Sequence, residues 1–282
     1  MKTPLYTYDM LKTEFPNDDA CLEYIFQQRY GHLEYCPICG TKGKFYRIKT
    51  RKYYKCAHCA FELYPLSGTI FHKSETPLTK WFFAIFLFSN SKNGVSAKEL
   101  ERHLGVTYKT AWRIAKQIRR MMDEHNVDLT GIVEMDETYV GGYHHWWEEK
   151  PKTAIIGAVE RNGQVETKVT KKPSRKVAEE FIEATVSPDA TIHTDESPIY
   201  KHVSKRRAHE AINHRQHEYG RGDITTNSIE GFWSQMKRSL DGTYHAVSPK
   251  YLQLYANEFE HRYNHRHDAV LPLLMEAVSR PI

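Results

Sequence analysis

Residues 132–140, Ile132-Val133-Glu134-Met135-Asp136-Glu137-Thr138-Tyr139-Val140, form the stretch on which the reading of this chain turns. β-Branched and apolar residues mixed with acids, running into Gly141-Gly142, mark a strand. Working outward, Ala154 to Val159 is a second strand candidate. Arg161-Asn162-Gly163-Gln164 then holds Asn-Gly, the strongest short hairpin signal, and leads into a third strand from Val165 to Thr170. Helical spacing of Ala178, Phe181, Ile182 and Thr185 predicts a helix from about Arg175 to Thr185 with those residues inward. A short strand, Thr191-Ile192-His193-Thr194-Asp195, follows, and a further helix begins near Asn227.

Three antiparallel strands, a helix, a strand, an irregular basic stretch and a helix are the order of a ribonuclease-H-like α/β domain. In that arrangement the first strand is central and the fourth lies beside it, so Asp136 and Asp195 face each other. Glu230, 35 positions after Asp195 and on the first turn of a helix, comes in from the flank. Three hard carboxylates suit Mg²⁺ or Mn²⁺, and two such ions about 4 Å apart activate the attacking oxygen and stabilise the leaving oxygen of a phosphodiester displacement. Taken singly, the same residues read as a strand-end surface acid, a turn former before Ser197-Pro198, and a first-turn acid favoured by the helix dipole. Glu134, Glu137 and Glu196 neighbour the three and read as tuning the site or facing solvent. His193 is either a partner of Asp195 or a packed histidine.

Upstream the texture differs. Leu22, Ile25 and Phe26 lie on one side of a helical lead-in, and then Cys36-Pro-Ile-Cys39-Gly40 and Cys56-Ala-His-Cys59 follow, separated by 16 residues that suggest a short antiparallel ribbon. Two CxxC turns supply the four thiolates of a closed tetrahedral shell, the pattern of structural zinc, so Cys36, Cys39, Cys56 and Cys59 are the expected ligands. Cys21 is left over and reads as a buried small hydrophobe. Ser96-Ala-Lys-Glu99 is a capping box that starts a helix carrying Leu100 and Leu104, which Gly105 ends. Thr107 caps a second helix with an apolar stripe of Ala111, Ala115, Ile118 and Met122 and a basic stripe of Lys109, Arg113, Lys116 and Arg120. This is a helix-turn-helix pattern whose basic stripe would meet DNA; the plain alternative is a solvated face on a helical hairpin.

The bulk properties allow this but do not demand it. A chain of 282 residues, 40% hydrophobic and with net charge +5, has material for two or three cores and a mild bias toward a polyanionic partner. The longest apolar run, Trp81 to Phe88, spans 8 residues, well short of the ~18 a membrane span needs, and reads as a buried helix. No signal-peptide stretch opens the chain, so a cytoplasmic, nucleoid-associated protein is expected.

Together the CPxCG and CxxC knuckles, residues 134–142, His193-Thr194-Asp195, and Thr226-Asn227-Ser228-Ile229-Glu230-Gly231-Phe232-Trp233 continuing to Lys237 resemble the bacterial insertion-sequence transposases that carry an amino-terminal zinc ribbon and a DDE-type, integrase-like catalytic domain. The resemblance covers nearly the whole chain. It implies that Asp136, Asp195 and Glu230 are the metal-binding triad, with Asn227 as the alternative third ligand, and that Lys237 touches substrate phosphate. Helical spacing agrees: Asn227, Glu230, Ser234 and Lys237 share a polar stripe, whereas Ile229, Trp233, Met236 and Leu240 share an apolar one. The expected organisation is a helical lead-in over 1–30, zinc ribbon over 31–75, helix-turn-helix over 76–125, ribonuclease-H-like catalytic domain over 126–245 and helical tail over 246–282.

The expected activity is binding of element ends in double-stranded DNA, with metal-dependent cleavage and strand transfer into target DNA, by a homodimer or larger assembly. A DNA-binding regulator derived from a transposase, and a two-metal nuclease without strand transfer, are the alternatives. Two further clusters stay open. Lys201, Lys205, Arg206 and Arg207, followed by His214-Arg215-Gln216-His217, either line a DNA channel or form a solvated loop; His144-His145-Trp146-Trp147 is a candidate hairpin tip. In the tail, Leu252, Tyr255 and Phe259 mark a closing helix on the catalytic sheet.

Overall fold

A computed structural model describes residues 6–49, 51–124, 127–141, 152–213, 216, 218 and 220–281. The tip His144-His145-Trp146-Trp147 lies outside the described residues, as do His214, Arg215 and His217. The chain divides into two compact units: one formed by the chain up to Ser91, Val95–Met122 and His267 onward, the other by Lys92–Gly94 and Asp123–Arg266.

In the first unit, helices α1 (Tyr8–Glu14) and α2 (Asp18–Tyr30) precede an antiparallel ribbon of β1 (Phe45–Arg47), β2 (Tyr54–Cys56) and β3 (Glu62–Leu63). Helices α3 (Leu78–Asn90), α4 (Ala97–Leu104) and α5 (Tyr108–Met121) follow, joined by the C-terminal helix Val270–Ala277. Leu22, Ile25 and Phe26 of α2 pack in one core with Trp81, Phe82, Ile85 and Phe88 of α3, so the longest apolar run is indeed a core helix. Cys21 is wholly buried there, and burial pushes its thiol up to about 12.

Helices α4 and α5 end and begin where their sequence signals fall. The Ser96 hydroxyl accepts the Glu99 amide, Gly105 takes a left-handed φ of 57° that closes α4, and the Thr107 hydroxyl accepts the Thr110 amide. Ala111, Ala115, Ile118 and Met122 are buried as their spacing required. Arg119 is buried too, donating to the Val95 carbonyl at 3.3 Å and lying over the Phe88 ring.

The second unit holds β4 (Ile132–Val140), β5 (Thr153–Glu160), β6 (Val165–Thr170), α6 (Arg175–Thr185), β7 (Thr191–Thr194), β8 (Ala208–Ala211), α7 (Asn227–Ser239) and α8 (Leu252–Asn264). The sheet order is β6-β5-β4-β7-β8, with β4, β5 and β6 antiparallel and β7 and β8 running parallel to β4. A central first strand with the fourth beside it is the ribonuclease-H-like arrangement. The hairpin between β5 and β6 turns at Asn162, whose φ of 64° is left-handed. The basic stretch after Tyr200 was expected to be irregular, yet it contains β8. Ala208-His209-Glu210-Ala211 is mostly exposed, so no apolar alternation announces the strand.

Period-2 alternation sorts the sheet into two faces. Val133, Met135, Ile156 and Ala158 join Ala178, Phe181 and Ile182 of α6 in one core. On the other face Ile155, Val159 and Val165 meet Ile229, Phe232, Trp233 and Met236 of α7 and Leu252 and Phe259 of α8. Gly157 lies on the α7 side because a Cβ there would stand 2.7 Å from the Trp233 ring. Helix α8 also covers the free edge of β6: Asn264 exchanges hydrogen bonds with the Val165 amide and carbonyl at 2.7 and 3.1 Å, and Gln253 does so with the Val169 amide and Thr167 carbonyl. Side-chain amides thus stand in for a missing strand. Among the described residues no helix is long and apolar enough to cross a membrane.

Candidate active site

The site begins with the register of two neighbouring strands. Parallel pairing sets Ile132 level with Thr191, Val133 with Ile192 and Glu134 with His193. Asp136 stands two residues past Glu134 on β4, and Asp195 stands two residues past His193, just beyond the end of β7. Glu134, Asp136 and Thr138 alternate onto the face that carries α7. An open groove there is lined by Asp136, Glu137 and Thr138 from β4 and by Glu230, Trp233, Ser234 and Lys237 from α7. Asn227, Glu230, Ser234 and Lys237 are exposed while Ile229, Trp233, Met236 and Leu240 are buried, the two stripes read from the spacing.

Hydrogen bonds hold each acid. Asp136 accepts the Glu137 amide at 2.8 Å, Asp195 accepts the Ser197 amide at 2.9 Å, and Glu230 accepts the Thr226 hydroxyl at 2.7 Å. The Ser197 hydroxyl reaches back to Glu137 at 3.0 Å, joining the turn after β7 to β4. Burial, and after it the charges of Asp195, Glu137 and Glu230, push the Asp136 carboxyl up to about 7. Glu137 is raised too, chiefly by burial. His193 is a packed, buried ring, and burial with the nearby Arg161 lowers its pKa.

Glu134 plays a part the sequence did not reveal. Fully buried, it accepts the amides of Ser228 at 2.7 Å and Ile229 at 3.3 Å, and the Ser228 hydroxyl at 3.1 Å. Thr226, the N-cap residue, makes no side-chain cap bond, so a carboxylate from β4 caps α7 instead. Arg161 neutralises that carboxylate at 2.8 Å and ties it to the carbonyl of Asp223. The alternation placed Glu134 on the face of Asp136, but nothing local named a partner 94 positions away.

The four cysteines converge. Cys36 and Cys59 sulfurs lie 3.7 Å apart and those of Cys39 and Cys56 3.9 Å apart. Zn–S bonds of about 2.3 Å in a tetrahedron place sulfurs about 3.8 Å apart, so the cluster suits a structural zinc ion. On α5, Lys109 and Arg120 are exposed, Lys116 lies over the Trp112 ring, and Arg113 donates to the His72 carbonyl at 2.8 Å. In the basic stretch after Tyr200, Arg207 is spoken for: it donates to the Val186 and Ser187 carbonyls and pairs with Glu183. It belongs to the fold rather than to a channel lining.

A sheet of this order with an acid at the centre of its first strand, preceded in the chain by a four-cysteine ribbon, defines an integrase-like fold that follows a zinc ribbon. Comparison with known proteins makes the class narrower. Residues 128–264 match the ISXO2-like transposase domain and residues 16–61 match the transposase zinc-ribbon domain. These two stretches are a transposase zinc ribbon and an ISXO2-like DDE transposase domain, in that order along the chain. It is 26% identical over 276 residues, 88% of this chain and 91% of the other, to an uncharacterized protein in the transposable element ISH50 of Halobacterium salinarum. Among solved structures it matches a chain of the simian T-cell lymphotropic virus intasome in complex with a PP2A regulatory subunit, at 14% identity and TM-score 0.30, covering 62% of this chain and 66% of that one. It also matches the HTLV-2 integrase catalytic core domain, at 16% identity and TM-score 0.27, covering 47% of this chain and 86% of that one. Strand order and register define the fold.

Proposed function

We propose that this protein binds the ends of its own element in double-stranded DNA, cleaves them, and joins the freed ends to target DNA. What supports the proposal is the parallel pairing of β4 with β7, which ends two residues before Asp136 and Asp195, together with the groove lined by Asp136, Glu230 and Lys237. Asp136, Asp195 and Glu230 would hold Mg²⁺ or Mn²⁺, which supply the polarisation of water and phosphate that no side chain here provides.

In cleavage, a water oxygen attacks phosphorus and the bond to the 3′-oxygen breaks, leaving a 3′-hydroxyl. In joining, that hydroxyl attacks a target phosphorus and a second 3′-oxygen leaves. Lys237, one face with Glu230, would bind the phosphate flanking the reacting bond. On α5, Lys109, Arg113, Lys116 and Arg120 would contact duplex DNA. Two ends cut and joined in concert call for at least a dimer on DNA. The domain limits expected from the sequence stand as part of the same proposal.

The test is end cleavage and strand transfer with Mg²⁺, comparing the natural chain with Asp136→Asn. Loss of both products is expected, and undiminished products would remove the mechanism. Cleavage without joined products would leave a nuclease, and salt-sensitive binding with no cut would leave a regulator.

A further inference from the structure

A second set of ligating side chains gathers away from the carboxylate groove. His261 and His265 stand one turn apart at the end of α8, with ring centroids 4.6 Å apart. Both turn a nitrogen to the same oxygen, Glu124 Oε1: His261 Nδ1 at 3.0 Å and His265 Nε2 at 2.9 Å. The ligand atoms of all three lie within 4.8 Å of one another, which among the described residues is otherwise true only of the four thiolates. His261 is 3% exposed; its Nδ1 bonds Glu124, and among the described residues its Nε2 has no hydrogen-bond partner. The surroundings are acidic: after burial, Asp123 and Glu124 together push the Glu166 carboxyl up to about 7.

Two imidazole nitrogens and a carboxylate are the donor set of borderline divalent ions, whose bonds of about 2.0 to 2.2 Å set ligand atoms about 3.3 Å apart. The two nitrogen-to-Glu124 separations are within a few tenths of an ångström of that, and the two nitrogens lie within 4.8 Å of each other, so side-chain shifts admit an ion. Histidines at i and i+4 present one face of a helix, and the third ligand arrives from a separate segment. We propose that Glu124, His261 and His265 form a transition-metal site of the zinc class, distinct from the ribbon and from the groove. It ties the segment entering β4 to the end of α8. Imidazole nitrogen favours zinc over magnesium, so the site fills even with magnesium in excess.

The experiment counts zinc. The full chain is loaded with zinc in the presence of excess magnesium, freed of unbound metal by gel filtration and assayed by mass spectrometry of the metal. The expected count is about two per chain, falling to about one in His265→Gln and in Glu124→Gln, with unchanged circular dichroism. In a Cys39→Ser chain the histidine-dependent ion remains. With cobalt in place of zinc, His265→Gln keeps the thiolate charge-transfer absorption. A count of one in the natural chain, or of two that neither variant reduces, overturns the proposal. None of these readouts involves DNA, so failure here is separate from failure of the catalytic reading.

Discussion

The Glu134 carboxylate, wholly buried in the central strand, accepts the backbone amide of Ser228 at 2.7 Å, so the strand that carries Asp136 also anchors the helix that carries Glu230. An acid at a helix N-terminus is favoured by the dipole, and Arg161 neutralises its charge. Removing one partner of a buried pair costs about 3 to 5 kcal/mol because the other is left uncompensated. Glu134→Ala is therefore expected to lower stability by about that much, measured by urea unfolding. Glu134→Gln, which keeps an acceptor, is expected to cost less while reducing DNA cleavage more than binding, since α7 loses its charged anchor. Equal cleavage by Glu134→Gln and the natural chain would show that α7 is held by other contacts.

Gly157 sits opposite Asp136 in the β4–β5 ladder and lets the Trp233 ring lie against the sheet. Adding a methyl group 2.7 Å from that ring forces the helix outward. Gly157→Ala is expected to cost about 1 to 3 kcal/mol, the range for overpacking, and Trp233→Leu in the same chain should recover part of it. A double-mutant cycle checks this: additive effects would mean the two positions do not share that space.

Burial among other acids makes the charged form of Asp136 a cost to the fold. Its folded pKa, up to about 7, is above the ordinary 3.8, so the fold disfavours the charged form. The penalty is absent below the unfolded value, grows at about 1.4 kcal/mol per pH unit between the two values at most, and is constant above the folded one. In magnesium-free buffer Asp136→Asn is therefore expected to be more stable than the natural chain, by a margin that widens from pH 4 to 7 and then levels. Denaturant midpoints of the two chains across that range test it, and a margin that shrinks with pH would contradict the burial of this acid among acids.

Lys109 and Arg120 are exposed on α5. If they meet phosphates, Lys109→Ala should reduce the slope of log affinity against log salt by about one, with similar loss on specific and unrelated duplexes. Fluorescence anisotropy at several salt concentrations measures this. An unchanged slope would return that stripe to the solvent.

Much of the architecture was legible from local pattern. Helix α6 and strand β6 fall where the spacing put them, the caps at Ser96 and Thr107 are occupied, and the four cysteines close on one another. Strand β8 was not legible because an exposed edge strand carries no apolar alternation. The two stripes of α7 were legible because helical period alone separates Ile229, Trp233 and Met236 from Glu230, Ser234 and Lys237.

What the amino-acid order determined by itself was therefore the kind of each segment and the identity of the acids, cysteines and basic residues, since period, capping and ligand spacing act within a few residues. Tertiary structure alone decided the pairing of β4 with β7, the capping of α7 by Glu134, the opening that Gly157 leaves for Trp233, and the meeting of Glu124 with His261 and His265. Those relationships join positions far apart in the chain. They depend on sheet register and on how buried charges find partners, neither of which leaves a local trace.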